Sequence, residues 1–280
     1  MSEYADPSVL VSTDWVNERI NSDLKIVEVD VDTQQYAAGH IPGAVAFDWT
    51  TQLQDQTRRD IISKDDFEAL VGKAGISNDD EVVIYGDNNN WFAAYAFWIF
   101  KYYGHDNVKL MNGGRSKWLD EEDKPLTTDV PSPTPTTYTV KETNPQIRAF
   151  AQDVLQIVKD GNANLVDVRS ADEFSGKVIA PPGMSETAQR GGHVPGAKSV
   201  PWVTAVNPDG TFKSRGDLEK IYFEDAGVIE GKDTVAYCRI GERSSHTWFV
   251  LKYLLGLPNV RNYDGSWTEY GSMIGVPIER

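Results

Sequence analysis

Short apolar runs alternate along the chain with segments of helical periodicity. Four runs rich in β-branched residues predict buried strands, at 25–29, 81–85, 164–168 and 234–237. Residues 64–74 and 217–226 carry apolar positions at helical spacing, and each segment is followed by a glycine suited to end a helix. The most apolar stretch, 91–103, is too short to span a bilayer and predicts a buried helix. This alternation predicts an α/β fold with mostly parallel sheets flanked by helices.

The chain contains two copies of one pattern. The sequence Gly-His-Ile-Pro-Gly-Ala at 39–44 recurs as Gly-His-Val-Pro-Gly-Ala at 192–197, an offset of 153 residues (192 minus 39). We therefore predict two homologous domains, residues 1–125 and 151–280. Between them, 126–150 contains three prolines within five residues and predicts an extended linker.

Composition narrows the function classes. The 280 residues include 42 acidic and 27 basic side chains, for a net charge of −15, which argues against nucleic-acid and membrane-surface partners. One cysteine and four dispersed histidines predict neither an internal disulfide nor a metal site. His193 recurs in the first copy as His40, so we expect it to pack rather than react. The acidic amino terminus predicts no signal peptide, and a lone thiol fits a cytoplasmic location.

The single cysteine occupies a position typical of active sites. Cys238 follows the predicted strand 234–237 and precedes a predicted helix, 244–255. Arg239 and Arg243 flank it with two positive charges. A short loop entering a helix directs backbone N–H groups inward, and the helix amino terminus adds partial positive charge. We therefore predict a nucleophilic Cys238 with a depressed pKa, in a cradle that binds anions.

Other residues of this loop are expected to complete the cradle. Gly241 permits an unusual backbone angle, and Ser244 is expected to open and cap the following helix. Backbone N–H groups between 239 and 244 would stabilise charge on the sulfur. The predicted substrate-binding residues are Arg239, Gly241, Glu242, Arg243 and Ser244.

Three residues outside the loop are expected to support it. Asp167 and Arg169 lie on one face at the end of a strand, where they form either a support for the loop or an ordinary ion pair. Arg190 precedes the repeated motif and either reaches the cleft or is a solvated loop residue. In the first copy, the cysteine position aligns with Gly86 or, with a one-residue gap, with Asp87. That copy has neither thiol nor arginine there, so we predict an inactive first domain.

The duplicated α/β pattern, the Gly-His-Ile/Val-Pro-Gly-Ala segments and the Cys-Arg-x-Gly-x-Arg loop together resemble the rhodanese family, over nearly the whole chain. The resemblance is greatest to tandem-domain thiosulfate sulfurtransferases. It implies that Cys238 takes the sulfane sulfur of thiosulfate, releases sulfite and passes the sulfur from a persulfide to cyanide or another thiophilic acceptor. It implies no metal or organic cofactor. Expected partners are thiosulfate, cyanide or thiols, and a thioredoxin-like or other acceptor protein, and the expected state is a monomer.

Alternative functions use the same cysteine. A 3-mercaptopyruvate sulfurtransferase is one, although that family carries a Cys-Gly-Ser-Gly loop and this chain has Arg239 after the cysteine. A module that delivers persulfide sulfur to a protein partner is another. A cysteine phosphatase would place arginine six residues after the cysteine, whereas Arg243 is five after it. Some rhodaneses carry a substrate-binding arginine at the position of Glu173, so we expect Arg243 to compensate.

Overall fold

The computed structural model describes residues 3–179, 183 and 187–280, which form two compact units. The first unit contains Ser8–Asn144 together with Val206–Phe212. The second contains the remaining described residues, including those up to Pro7. The two units correspond to the two sequence copies.

In the first unit, a five-stranded sheet has the order β1-β5-β4-β2-β3, and each neighbouring pair is parallel. The strands are β1 (Leu10–Val11), β2 (Lys25–Glu28), β3 (Val45–Ala46), β4 (Val82–Tyr85) and β5 (Val108–Met111). The helices are α1 (Thr13–Asn17), α2 (Gln35–Ala38), α3 (Lys64–Lys73), α4 (Asp87–Tyr102) and α5 (Gly114–Asp120). Ser63 caps α3 by accepting a hydrogen bond from the N–H of Asp66.

The second unit repeats this topology, with the parallel order β6-β10-β9-β7-β8. Its strands are β6 (Arg148–Ala149), β7 (Asn164–Asp167), β8 (Lys198–Ser199), β9 (Thr234–Tyr237) and β10 (Val260–Tyr263). Its helices are α6 (Ala151–Asp160), α7 (Ala171–Phe174), α8 (Arg215–Glu219), α9 (Glu242–Phe249) and α10 (Ser266–Tyr270). Short π-helical segments, Lys220–Asp225 and Val250–Leu254, continue α8 and α9. The predicted mostly parallel α/β fold is confirmed.

Matching tyrosines show that the two units are copies. Tyr85 ends β4, and its hydroxyl accepts a hydrogen bond from the backbone N–H of Ile41 at 3.0 Å. Tyr237 ends β9 and accepts in the same way from Val194 at 3.1 Å. In each unit, the tyrosine therefore fixes the repeated Gly-His-Ile/Val-Pro-Gly-Ala turn against the central strand.

The predicted buried helix is α4. Residues 92–100 along it are buried, because the helix packs against β4 and β5 in the core of the first unit. Within the part of the chain that the structure describes, no helix is both long enough and apolar enough to cross a bilayer.

The predicted linker is attached along much of its length to the first unit. The backbone N–H of Thr136 donates to the carbonyl of Gly72 at 2.9 Å, and the hydroxyl of Thr136 donates to the carbonyl of Ile76 at 2.6 Å. Tyr138 and Val140 are buried. From residue 145 onward, the chain already belongs to the second unit. The prolines keep this segment extended, and its apolar side chains attach it to the domain.

Candidate active site

Cys238 lies at the carboxyl end of β9, at the base of a four-residue loop that leads into α9. Its side chain is fully buried. The backbone N–H of Gly241 donates to Sγ at 3.1 Å. On the other side of the sulfur, Glu242 Oε2 lies 3.4 Å from Sγ. The loop therefore places one N–H donor and one carboxylate on the same thiol.

Gly241 is required at this turn. Its φ is 99°, a left-handed conformation that favours glycine, and a Cβ atom there would lie 2.6 Å from Cα of Asp264. The predicted unusual backbone angle is thus confirmed. The prediction that Ser244 opens and caps the helix is wrong, because α9 begins at Glu242 with Gly241 at the cap position. The side chain of Ser244 instead lies 2.6 Å from Asn262 Oδ1 and 3.0 Å from the carbonyl oxygen of Gly241.

Two polar residues outside the predicted site hold the loop, Asn262 from the neighbouring strand and Ser266 from the start of α10. Asn262, on β10, is fully buried and donates through Nδ2 to the carbonyl of Gly241 at 3.0 Å. The hydroxyl of Ser266 accepts a hydrogen bond from the backbone N–H of Cys238 at 3.1 Å. Both residues follow the loop by more than 20 positions. The parallel pairing of β9 with β10 brings them to the cysteine.

One arginine of the site, Arg243, already forms an ion pair with a carboxylate. Arg243 donates from both terminal nitrogens to Glu173, at 3.1 Å each, in a buried bidentate pair. Glu173 follows β7, on α7, where Ser170 and Glu173 form a capping box. The sequence leads us to expect Arg243 to replace the arginine that some rhodaneses carry at position 173. In this structure, both terminal nitrogens of Arg243 are engaged by Glu173 itself.

Arg239 and Glu242 form a second, looser pair. Arg239 is 4% exposed, and its guanidinium lies 4.0 Å from Glu242 Oε1. That carboxylate oxygen is buried and accepts no hydrogen bond within the described residues. Glu242, predicted as one of the substrate-binding residues, directs its other oxygen at the sulfur of Cys238.

The prediction that the pKa of Cys238 is depressed is wrong. Burial raises the pKa of the thiol above its usual range, and the Glu242 carboxylate raises it further. Arg243 and the backbone N–H and hydroxyl of Ser244 act in the opposite direction without cancelling the rise. The sequence shows the two arginines but does not show that the sulfur is withdrawn from water beside a carboxylate.

Asp167 and Arg169 form the predicted pair at the end of β7. Arg169 Nη2 donates to Asp167 Oδ2 at 2.6 Å and to the carbonyl of Gly192 at 2.7 Å, and both side chains are buried. The guanidinium also lies over the ring of Trp267, 4.7 Å from its centroid. The pair therefore connects the central sheet to the repeated turn and to α10, the helix that begins at Ser266.

Arg190 is not the solvated loop residue of the competing interpretation. Its guanidinium is half-buried and donates to the carbonyls of Gly271 at 3.1 Å and Met273 at 2.6 Å, with longer contacts to Tyr270 and Val276. These contacts fix the carboxyl-terminal segment. None of them involves the sulfur or the cysteine loop.

The histidines pack as expected. The rings of His40 and His193 stack on Tyr36 and Phe174, with centroids 3.7 and 3.6 Å apart, and both Nδ1 atoms lie 2.9 Å from backbone carbonyl oxygens of those residues. Burial lowers the pKa of His246 to about 3, so this imidazole is neutral at physiological pH.

In the first unit, the corresponding position has no nucleophile. Gly86 directly follows β4, as Cys238 follows β9, which decides between the two alignments. The next residue, Asp87, accepts hydrogen bonds through its carboxylate from the N–H groups of Val31 and Asp32 at 2.6 and 3.1 Å. This carboxylate orders a neighbouring turn.

Glu28 and Asp30 occupy the positions of Asp167 and Arg169. The positive charge that Arg169 provides in the second unit comes here from Arg115, which donates to Glu28 at 2.5 Å. The sequence analysis missed this substitution. Burial and the neighbouring Glu28 raise the pKa of Asp30 to about 9. Glu28 and Asp30 also line a cavity of about 140 Å³.

Sequence and structure comparisons identify the family. The profile of the rhodanese-like domain matches residues 12–121 and 150–273. The chain belongs to the rhodanese family. A relative from Saccharopolyspora erythraea, provisionally named thiosulfate sulfurtransferase, is 56% identical over 97% of this chain and 96% of its own. The sulfur carrier protein TtuD of Thermus thermophilus is 55% identical over 99% of this chain and 98% of its own.

A solved structure agrees with this assignment. The 3-mercaptopyruvate sulfotransferase SseA from Escherichia coli superposes with a TM-score of 0.81 at 27% identity, covering 93% of this chain and 99% of that one. This rhodanese is therefore a tandem-domain sulfurtransferase. Among the described residues, no group of three or more histidine, cysteine, aspartate or glutamate side chains is arranged to hold a metal ion.

Proposed function

We propose that this rhodanese is a thiosulfate sulfurtransferase whose second domain carries sulfur on Cys238 and whose first domain is inactive. The observation that carries the proposal is the thiol at the end of β9, in contact with the N–H of Gly241 and flanked by Arg239 and Arg243. A thiolate there is a nucleophile with a donor already aimed at it. The name given to the Saccharopolyspora relative supports the same donor.

The reaction consists of two displacements at sulfur. The Cys238 thiolate attacks the outer sulfur of thiosulfate, so that a new S–S bond forms while the bond to the SO₃ group breaks and sulfite leaves with the electron pair. Cyanide or an acceptor thiolate then attacks the outer sulfur of the persulfide. The Cys238 thiolate leaves, and the acceptor becomes thiocyanate or a persulfide. Because the chain has a single cysteine, the acceptor must come from another molecule.

A second candidate function differs in the molecule that accepts the sulfur. The 55% identity to the sulfur carrier protein TtuD favours delivery of the sulfur to a protein in the cell. The likeness to SseA favours 3-mercaptopyruvate as an alternative donor. Arg239 separates the donors, since a guanidinium in the cysteine loop suits the dianion thiosulfate better than a monoanionic carboxylate.

Sulfur loading from the two donors tests this proposal. Protein is incubated with thiosulfate or with 3-mercaptopyruvate, and the added sulfur is measured by intact mass in the wild type and in Arg239→Gly. We expect faster loading from thiosulfate in the wild type and a loss of about tenfold or more of that preference in the variant. Loading from 3-mercaptopyruvate alone would refute the thiosulfate assignment and leave the sulfurtransferase class intact.

A further inference from the structure

A carboxylate lies against the nucleophilic sulfur. Glu242 is the first residue of α9, is 1% exposed, and has Oε2 3.4 Å from Sγ of the fully buried Cys238. An ionised carboxylate at this distance opposes formation of the thiolate. An anion-binding loop built only to stabilise a thiolate would not place an acid there. The contact therefore requires an explanation in terms of the reaction.

Glu242 is placed to exchange a proton with the sulfur. A general base must lie within hydrogen-bond reach of the proton it takes, and the 3.4 Å contact meets this condition for a sulfur donor. The histidine on the same helix does not compete, because His246 is buried, has a pKa lowered to about 3, and packs edge-on against Trp202. The rise in the pKa of Cys238 also leaves a proton on the sulfur at rest.

The surrounding charges are matched when the pair holds one proton. On α7, Glu173 pairs with Arg243 of α9, and Arg239 of the loop faces Glu242. Two further buried pairs at neighbouring strand ends are each neutral, Asp167 with Arg169 on β7 and Asp264 with Arg148 at β10. Cys238 and Glu242 together then need one negative charge to balance Arg239. Two negative charges would leave an excess in a site that water does not reach.

We propose that Cys238 and Glu242 form a one-proton pair, in which the Glu242 carboxylate takes the thiol proton as the sulfur attacks and returns it when the sulfur leaves. Glu242 is a catalytic residue in this scheme, since it touches the reacting atom. The inference rests on the proposed persulfide function of Cys238. In this proposal, the Glu242 carboxylate takes part in proton transfer and is not one of the substrate-binding residues.

The proton balance closes over the cycle. The thiol proton moves from Sγ to Glu242 Oε2, and the thiolate forms its bond to the outer sulfur of thiosulfate while sulfite leaves. The proton on Glu242 then lies beside the persulfide anion. When the acceptor removes the outer sulfur, Cys238 leaves as a thiolate and recovers the proton. The pair carries one negative charge each time an anion enters, and no proton is taken from solvent.

The test is the pH dependence of alkylation, because iodoacetamide is neutral and, in this proposal, is attacked by the sulfur in the same step as Glu242 takes the thiol proton, whatever the natural donor is. If the pair shares one proton, the wild-type rate is independent of pH between the two apparent pKa values of the pair. Glu242→Gln keeps the side-chain shape and removes the proton acceptor. Its rate should rise about tenfold per pH unit through neutrality and fall below the wild-type rate by about 100-fold at pH 7.

A purely electrostatic role for Glu242 predicts the reverse. Removing the negative charge would ease ionisation of the thiol, so Glu242→Gln would alkylate as fast as the wild type or faster at pH 7. A Glu242→Gln rate at pH 7 that equals or exceeds the wild-type rate overturns the proposal. A wild-type rate that rises tenfold per pH unit through neutrality overturns it as well, and this measurement does not require the variant to fold.

Controls separate the pair from the proposed function. Glu219→Gln, in the half-buried pair with Arg215 on α8, removes one carboxylate far along the sequence from the sulfur and should keep the wild-type profile. Loading from thiosulfate is measured in parallel by mass. Alkylation as predicted without sulfur loading would refute the thiosulfate function and leave the pair standing. Loading with the contrary alkylation profile would refute the pair alone.

Discussion

The two units use one framework for opposite electrostatics. Each has a central strand that ends in a tyrosine whose hydroxyl accepts the N–H of the repeated turn, from Ile41 or from Val194. After that strand, the second unit places Cys238, with Arg239 in the loop and Arg243 in the first turn of α9. The first places Gly86 and the carboxylate of Asp87. The shared contacts maintain the fold, and the residues that differ are those at the end of the strand.

The residue that supplies the buried cation also differs between the two units. In the second unit, Arg169 lies at the end of β7 and pairs with Asp167. In the first unit, that position is Asp30, and the cation comes from Arg115 at the start of α5. A buried carboxylate at the strand end needs a cation in both units. The fold therefore requires a cation beside this carboxylate, but the residue that supplies the cation can lie at different positions in the sequence.

The largest expected difference between the units comes from the two glycines of the loops. Gly241→Ala would bring a Cβ atom to 2.6 Å from Asp264 Cα, displace the N–H that faces the sulfur, and lower sulfur loading about 100-fold. Gly86→Ala would place a Cβ atom 2.0 Å from the carbonyl oxygen of Val29. It should destabilise the first unit by about 3 kcal/mol and leave the loading rate of the folded protein unchanged. Intact mass and thermal denaturation measure the two effects.

Replacing the buried arginine should lower the free energy of unfolding by a similar amount in both units. It should lower sulfur loading only in the second unit. Arg169→Met and Arg115→Met each leave a buried carboxylate without its cation, at about 3–5 kcal/mol of unfolding free energy. We expect slower sulfur loading only for Arg169→Met, because its pair supports the turn beside the cysteine loop. Equal losses of loading in both variants would contradict an inactive first domain.

A smaller effect is expected where a carboxylate competes with substrate. Glu173→Gln weakens the hold on two N–H groups of Arg243, which then bind the thiosulfate oxygens. The KM for thiosulfate should fall about tenfold, the equivalent of one charge-assisted hydrogen bond, while thermal stability decreases. Steady-state kinetics at constant ionic strength would show this. A raised KM would mean that Glu173 positions Arg243 for substrate and does not compete with it.

A further expected effect concerns the pH dependence of stability in the first unit. The pKa of Asp30 is raised from 3.8 to about 9 in the folded state, so the folded chain holds a proton that the unfolded chain has lost across this range. The free energy of unfolding should therefore decrease as pH rises from about 4 to about 9. Asp30→Asn should flatten this decrease. Denaturant titrations at several pH values test it, and an unchanged slope would contradict the assignment.

The sequence predicts the framework well because its signals are local. The strand at 234–237, the helix at 64–74 and the duplicated turns each depend on neighbouring residues, and the structure has them within a few positions. The cysteine loop is local as well. Its glycine, Gly241, has the left-handed angle that the pattern required.

The polar contacts around the thiol could not be read in the same way. Arg243 meets Glu173 across 70 positions, and Asn262 reaches Gly241 across 21. Such contacts depend on strand order, which brings distant segments to one edge of the sheet. The sign of the Cys238 pKa shift was missed for a related reason. Burial and the Glu242 carboxylate outweigh the effect of Arg243 on the pKa, and neither is visible in the spacing.

The measurement that tests the asymmetry of the two units most directly is the intact mass of the protein after treatment with thiosulfate and then cyanide. The account predicts a gain of about one sulfur atom, removed by cyanide, with the added sulfur located on the peptide that contains Cys238. Cys238→Ser should remain folded and gain nothing. A folded, fully reduced wild type without the gain, or a Cys238→Ser protein that still transfers sulfur, would contradict it.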